Sequence, residues 1–157
     1  MKYFSTRNKN LNCSFKEIFL RGLAADGGLF IPQKLKIYDN SELNELSKLK
    51  YTDLATEIIS NFCLPDLKKD KLKSIVEKAY NNFDISEIVT IKKVGNLNLL
   101  ELYHGPTLAF KDIALQVIGN IYSEFNTQDK KKINIIVATS GDTGSAAISA
   151  LNGKSNI

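Results

Sequence analysis

The sequence predicts an α/β chain in which a helical N-terminal unit is followed by a β-hairpin, a helix, a strand and a second helix. Three observations predict it. Apolar residues recur at helical spacing up to Tyr80. Two β-rich runs then flank Gly95-Asn96. Further on, the apolar run Ile133 to Ala138 leads into Thr139-Ser140-Gly141-Asp142-Thr143-Gly144 and an alanine-rich stretch. A short apolar strand, a glycine turn and a helix in that order open a parallel α/β sheet.

Tyr3 to Arg7 is expected to form a brief strand. Ser14-Phe15-Lys16-Glu17 fits a capping box, since Ser14 can accept from the backbone three residues on and Glu17 can reach back. Phe15, Ile18 and Phe19 share a face of that helix, and Gly22 is its stop. Asp26-Gly27-Gly28 reads as a turn, and Leu29-Phe30-Ile31 as a short apolar run ended by Pro32. Three more helices are expected. Ser41 would cap one carrying Leu43 and Leu46. Thr52 would cap another carrying Ala55, Ile58, Ile59 and Phe62, which Pro65 ends. A third runs from Asp66 or Asp70 to Tyr80, with Leu72, Ile75, Val76, Ala79 and Tyr80 on one stripe. These stripes read as core.

The character changes near Asn81-Asn82, which sets expected domains of 1–82 and 83–157. Ile88 to Val94 and Leu97 to Tyr103 form the hairpin. A helix begins near Phe110 and carries Ile113, Val117 and Ile121. Lys130 to Lys132 mark a loop, and Ser155-Asn156-Ile157 resembles the approach to another strand. A doubly wound sheet needs more parallel strands than this, so the expectation is an incomplete α/β fold, a fragment of a longer protein.

The 157 residues are 43% hydrophobic and 24% charged, ordinary for a globular protein. No apolar run approaches the roughly 20 residues that span a bilayer. Met1 to Asn12 lacks the apolar core of a secretory signal, so a cytoplasmic protein is expected. The net charge of +4 is carried almost wholly by lysine, Arg7 and Arg21 being the only arginines. Arginine makes the commonest base-specific contact, so nucleic acid is not the expected partner. Cys13, Cys63 and the single His104 supply no standard metal-ligand set, and the two cysteines suit a reducing compartment.

Two places can carry chemistry. In Ser140 to Gly144 a glycine turn lets backbone approach a ligand, and the N–H groups of the following helix suit a phosphate or carboxylate. Ser140 and Thr143 add hydroxyls. The loop is neither a Walker A sequence nor GxGxxG, and a capped turn with no ligand has the same pattern. Lys111, after Leu108-Ala109-Phe110 and beside Asp112, is a candidate nucleophile if it is partly desolvated; a surface lysine has the same local sequence. His104 reads equally as a hydrogen-bonded loop histidine.

His104-Gly105-Pro106-Thr107-Leu108-Ala109-Phe110-Lys111-Asp112 resembles the pyridoxal-phosphate attachment segment of the threonine synthase family, in the branch found in fungi and many bacteria. Ala138 to Ala147 resembles that family's second loop. Tyr3 to Arg7 and Arg21 to Phe30 are similar to its N-terminal region, so the resemblance covers essentially the whole chain. It implies the opening of a fold-type-II pyridoxal-phosphate domain and conversion of O-phospho-L-homoserine and water to L-threonine and phosphate. By motif, Lys111 would hold the cofactor covalently, Phe110 would pack beside it and Asp142 would face its phenolic oxygen. Ser140, Gly141 and Thr143 would take the substrate carboxylate, with His104 and Thr107 as further substrate contacts and Arg7 a candidate for the substrate phosphate. The family's loop for the cofactor phosphate lies further downstream, so these residues alone are expected to bind the cofactor poorly and to lack activity. Another pyridoxal-phosphate lyase of the same fold type, and a non-catalytic phosphate-binding module, are the alternative readings.

Overall fold

The computed structural model describes residues 1–129, 132–154 and 157. They form two compact units, residues 1–74 and 75–157.

The first unit opens with an antiparallel three-stranded sheet of order β2-β1-β3, built from β1 (Tyr3–Ser5), β2 (Asn8–Cys13) and β3 (Phe30–Pro32). Tyr3 pairs with both Cys13 and Pro32, and the β1–β2 register shifts between Tyr3 and Ser5. Strand β2 is absent from the sequence expectations because Asn-Lys-Asn-Leu-Asn-Cys has no apolar alternation; its pairing with β1 makes it a strand. Helix α1 (Phe15–Arg21) starts on the expected capping box, with Ser14 Oγ accepting from the Glu17 amide and the Glu17 carboxylate accepting from the Ser14 amide, and it ends at Gly22.

Two caps differ from expectation. Helix α2 (Asn40–Leu46) is capped by Asp39, not Ser41: Asp39 Oδ1 accepts from the Glu42 amide at 2.8 Å, and Glu42 accepts from the Asp39 amide at 3.0 Å. A carboxylate there satisfies an orphan amide and favours the positive end of the helix dipole. Helix α3 (Tyr51–Cys63) begins after Lys50 with no side-chain cap, which places Thr52 inside the helix. It ends at Cys63, immediately before Leu64-Pro65, since the residue before proline avoids helical backbone.

Helix α4 (Lys69–Tyr80) carries the predicted stripe, and Leu72, Ile75, Val76, Ala79 and Tyr80 are all buried. Cys63 is fully buried, and burial pushes its thiol up to about 11, so it stays protonated and inert. Tyr3 donates its hydroxyl to the Phe62 carbonyl at 2.7 Å, and burial pushes its phenol up to about 12.

Asp26 ties the first unit's turn together. Its Oδ1 accepts from the Gly28 amide at 2.9 Å and from buried Ser5 Oγ at 2.8 Å, while Arg7 donates to the Asp26 carbonyl at 3.0 Å. The Gly28 amide, then the Ser5 hydroxyl, hold the carboxyl below its usual range. A depressed folded-state pKa contributes stability above the unfolded value of about 3.9, and that contribution is lost as pH falls through the lower folded value. Asp26→Asn is therefore expected to flatten the acid limb of the stability profile, read as urea midpoints from pH 6 downward.

The second unit holds a hairpin of β4 (Thr90–Val94) and β5 (Leu97–Glu101), joined at Gly95-Asn96, and then α5 (Asp112–Asp129) and α6 (Asp142–Leu151). Val117, Ile121 and Phe125 of α5 and Ala146, Ala147 and Ala150 of α6 are buried. The helices touch through Gln116 Nε2, donating to Ser149 Oγ at 3.2 Å, and just past α6 Lys154 Nζ donates to Asn120 Oδ1 at 2.8 Å. A Cβ on Gly119 would collide with the Ala150 carbonyl oxygen, so glycine permits the close approach.

Ile133 to Ala138 departs from expectation. It belongs to no strand and is largely exposed, Ile136 at 95%. A strand exists only through a hydrogen-bonded neighbour, and none flanks this segment among the described residues. The expected loop at Lys130-Lys131 and the expected strand approach at Ser155-Asn156 lie outside those residues. No described helix is long and apolar enough to cross a membrane.

Candidate active site

The loop between the hairpin and α5 is braced by one buried carboxylate. Asp112 is fully buried, with Oδ2 accepting from the Thr107 amide and Oδ1 from the Thr107 hydroxyl, both at 2.8 Å. The backbone closes two further turns, Leu108 N–H to Gly105 O and Asp112 N–H to Ala109 O, each at 3.0 Å. Leu108 joins them with φ +60°, a left-handed conformation that costs a side-chain-bearing residue roughly 1–2 kcal/mol. Such strain persists only where surrounding contacts over-determine it. A Cβ on Gly105 would fall 2.5 Å from Asp112 Cβ and 2.6 Å from Oδ2. Gly105→Ala is therefore expected to destabilise the chain by about 1–3 kcal/mol, read as a lowered thermal midpoint.

The arc held by this brace carries the candidate residues. Leu108 and Phe110 point outward, 65% and 58% exposed. Lys111 is half-buried, and its Nζ lies 4.4 Å from the centroid of the Phe110 ring. Among the described residues it forms no ion pair. The structure thus brings Phe110 and Lys111 together and commits Thr107 to Asp112.

His104 is held at the base of the hairpin. Thr90 Oγ1 donates to Glu101 Oε2 at 2.8 Å. A hydroxyl has one proton, so at its 3.2 Å contact with His104 Nε2 it accepts, and Nε2 carries the hydrogen. The Glu101 carboxylate lies 3.9 Å from the same nitrogen. Hydrogen bonds from Thr90, then Tyr103, hold the Glu101 carboxyl below its usual range.

The second loop forms the start of α6. Gly141 is the N-cap, with φ 150° and open space where a Cβ would be, and its amide donates to Thr139 Oγ1 at 3.3 Å. No side chain caps the helix. Ser140, Gly141 and Asp142 are exposed and Thr143 is half-buried, so the start of the helix is open where an anion is favoured.

Helix direction places the two loops at one end of the pair. Gln116 meets Ser149 of α6, and Asn120 meets Lys154 three residues past the end of that helix, so partners advance in the same sense along the two segments. At about 1.5 Å per residue, Gln116 lies roughly 6 Å from the start of α5 and Ser149 roughly 10 Å from the start of α6. Lys111 and the Ser140–Thr143 loop therefore open on the same end of α5 and α6. Arg7 lies in the first unit, where it donates to the Asp26 carbonyl. No group of residues able to hold a metal ion is found among those described. Sequence reasoning names Asp112 only as the neighbour of Lys111 and misses it as the brace of this loop.

These features define an α/β segment that displays a lysine beside an aromatic ring and an anion-suited helix start. The family described as threonine synthase N terminus matches residues 2–80, and the chain belongs to it. Along its whole length it is 39% identical to the threonine synthase of Schizosaccharomyces pombe, and over 99% of its length 40% identical to that of Saccharomyces cerevisiae, covering 32% and 33% of those proteins. It therefore spans about a third of the curated relatives it matches. Among solved structures, 99% of it superposes on pyridoxal-phosphate-bound threonine synthase from Brucella melitensis with TM-score 0.94 and 35% identity, covering 34% of that chain. The yeast enzyme gives 0.93 at 40% identity, again covering 34%.

Proposed function

We propose that this chain provides the lysine-bearing side of a threonine synthase, which converts O-phospho-L-homoserine and water to L-threonine and phosphate with pyridoxal phosphate. The observation that carries the reading is the braced loop 105–112, which presents Lys111 over Phe110 at the same helix ends as the Ser140–Thr143 loop. A primary amine outside any described ion pair, an exposed aromatic face and unfilled helix amides suit an aldehyde-bearing aromatic cofactor and an anionic substrate. When bound, pyridoxal phosphate supplies an electron sink for carbanions on the substrate.

In this reading Lys111 Nζ is the covalent attachment point and, when free, the group that moves protons at the reacting carbons. Phe110, 58% exposed, would pack beside the cofactor and exclude water there. Asp142 would interact with the cofactor's phenolic oxygen. Ser140, Gly141 and Thr143 orient the substrate carboxylate through amides and hydroxyls. His104 and Thr107 border the substrate from the hairpin side, and Arg7 is a candidate for its phosphate. Residues 1–82 then form an N-terminal domain and 83–157 the start of the cofactor domain, in a cytoplasmic enzyme.

The test is a chimera in which this chain replaces the matching third of the S. cerevisiae relative, assayed for threonine and phosphate from O-phospho-L-homoserine. Borohydride reduction should leave a pyridoxyl mass on the Lys111 peptide. A folded chimera that is inactive on phosphohomoserine but deaminates serine or threonine would instead indicate another lyase. One that is unmarked at Lys111 would favour a phosphate-binding module.

A further inference from the structure

We propose that Asp112 is the positioning residue of Lys111. It rests on the reading of Lys111 as the attachment lysine, and it extends that reading to a side chain outside the set expected to touch substrate or cofactor. Asp112 is fully buried, and both carboxylate oxygens accept from one residue, Thr107. Thr107 is separated from it by the arc Leu108 to Lys111. The carboxylate therefore closes a ring through the backbone, and the arc is the only part of that ring with large exposed apolar side chains. Lys111 is covalently next to the brace, and its carbonyl accepts from Leu115 N–H at 2.9 Å, so α5 anchors the backbone immediately behind its side chain.

Three features converge on this role. Gly105 has no room for a Cβ against Asp112. Leu108 is held at φ +60°. Thr107 donates both its amide and its hydroxyl inward. A carboxylate needed only to cap α5 would use the amides of that helix's own first turn; this one reaches back across the loop. The result is a lysine held with its ammonium 4.4 Å over the Phe110 ring, when a four-carbon stem on an open loop would roam.

The experiment reads that placement in the 157-residue chain without cofactor. In isotopically labelled protein the Lys111 ε-methylene protons should be shifted upfield by the Phe110 ring. Asp112→Asn and Thr107→Val should abolish the shift while α6 resonances stay in place, and Thr107→Ser, which keeps the hydroxyl donor, should retain it. A carboxylate that only added stability would lower the melting temperature and leave the shift of the folded molecules unchanged. The proposal is overturned if the shift survives in Thr107→Val, or if Thr107→Ser loses it as valine does. If Asp112→Asn fails to fold, the Thr107 pair decides alone. Failure of the attachment reading is seen separately, as an unmarked Lys111 in the borohydride-treated chimera, and does not alter the outcome of the resonance measurement.

Discussion

Lys111→Ala in the chimera is expected to lower threonine formation by at least about 10²–10⁴-fold, the range lost when a positioned proton-transfer group is removed. The pyridoxyl mass should vanish from the same peptide. Lys111→Arg should be no better, because a guanidinium stays protonated and cannot attack a carbonyl. Both variants should melt close to the parent, since the Lys111 head group makes no ion pair among the described residues and lies against the ring of the neighbouring Phe110. Phosphate release and peptide mass read the two effects independently. An alanine variant that keeps a tenth or more of the parent rate would remove Lys111 from the chemistry.

Phe125→Ala is the largest stability effect expected. Phe125 is the largest fully buried side chain among the described residues and lies in the C-terminal third of α5. Truncating a buried phenylalanine to alanine costs about 3–5 kcal/mol, through lost burial and the cavity left behind. Against a typical domain stability of about 5–15 kcal/mol, that is a large share. The urea midpoint should fall sharply, with loss of α5 amide protection ahead of the first unit's sheet. A loss below about 1 kcal/mol, the ordinary level for a point mutation, would mean that the site collapses around the smaller residue.

What was legible in the sequence was mostly local. The Ser14–Glu17 capping box, the α4 stripe and the Gly95-Asn96 hairpin are written in neighbouring residues and were found. Asp39 was passed over for Ser41 because two adjacent segments offered a capping residue and only backbone geometry chooses between them. Strand β2 was hidden because its polar residues take extended form from pairing with β1. Ile133 to Ala138 reads as a strand on apolar content alone, yet a strand is a relation between two segments and this one has no neighbour. The candidate site divides in the same way. Lys111 and Phe110 are legible through the family motif, and the Ser140–Thr143 loop through its glycine turn and helix start. The inward turn of Thr107 toward Asp112 was not, because nothing in the local spelling distinguishes a buried aspartate from a solvated one. Nor was the parallel run of α5 and α6, which is specified by polar contacts of Gln116 and Asn120 that carry no periodic signal.

The exposed segment from Ile133 to Val137 has a consequence for handling the chain in solution. Its amides and carbonyls find no ladder partner among the described residues, and Ile135, Ile136 and Val137 are all exposed. Such a segment is a template for backbone pairing between molecules. Self-association should therefore rise with protein concentration and be relieved by a charge at Ile136, the side chain that projects furthest into water. The stretch that would be quietest inside a completed sheet is the one that sets how concentrated a sample of this chain can be made.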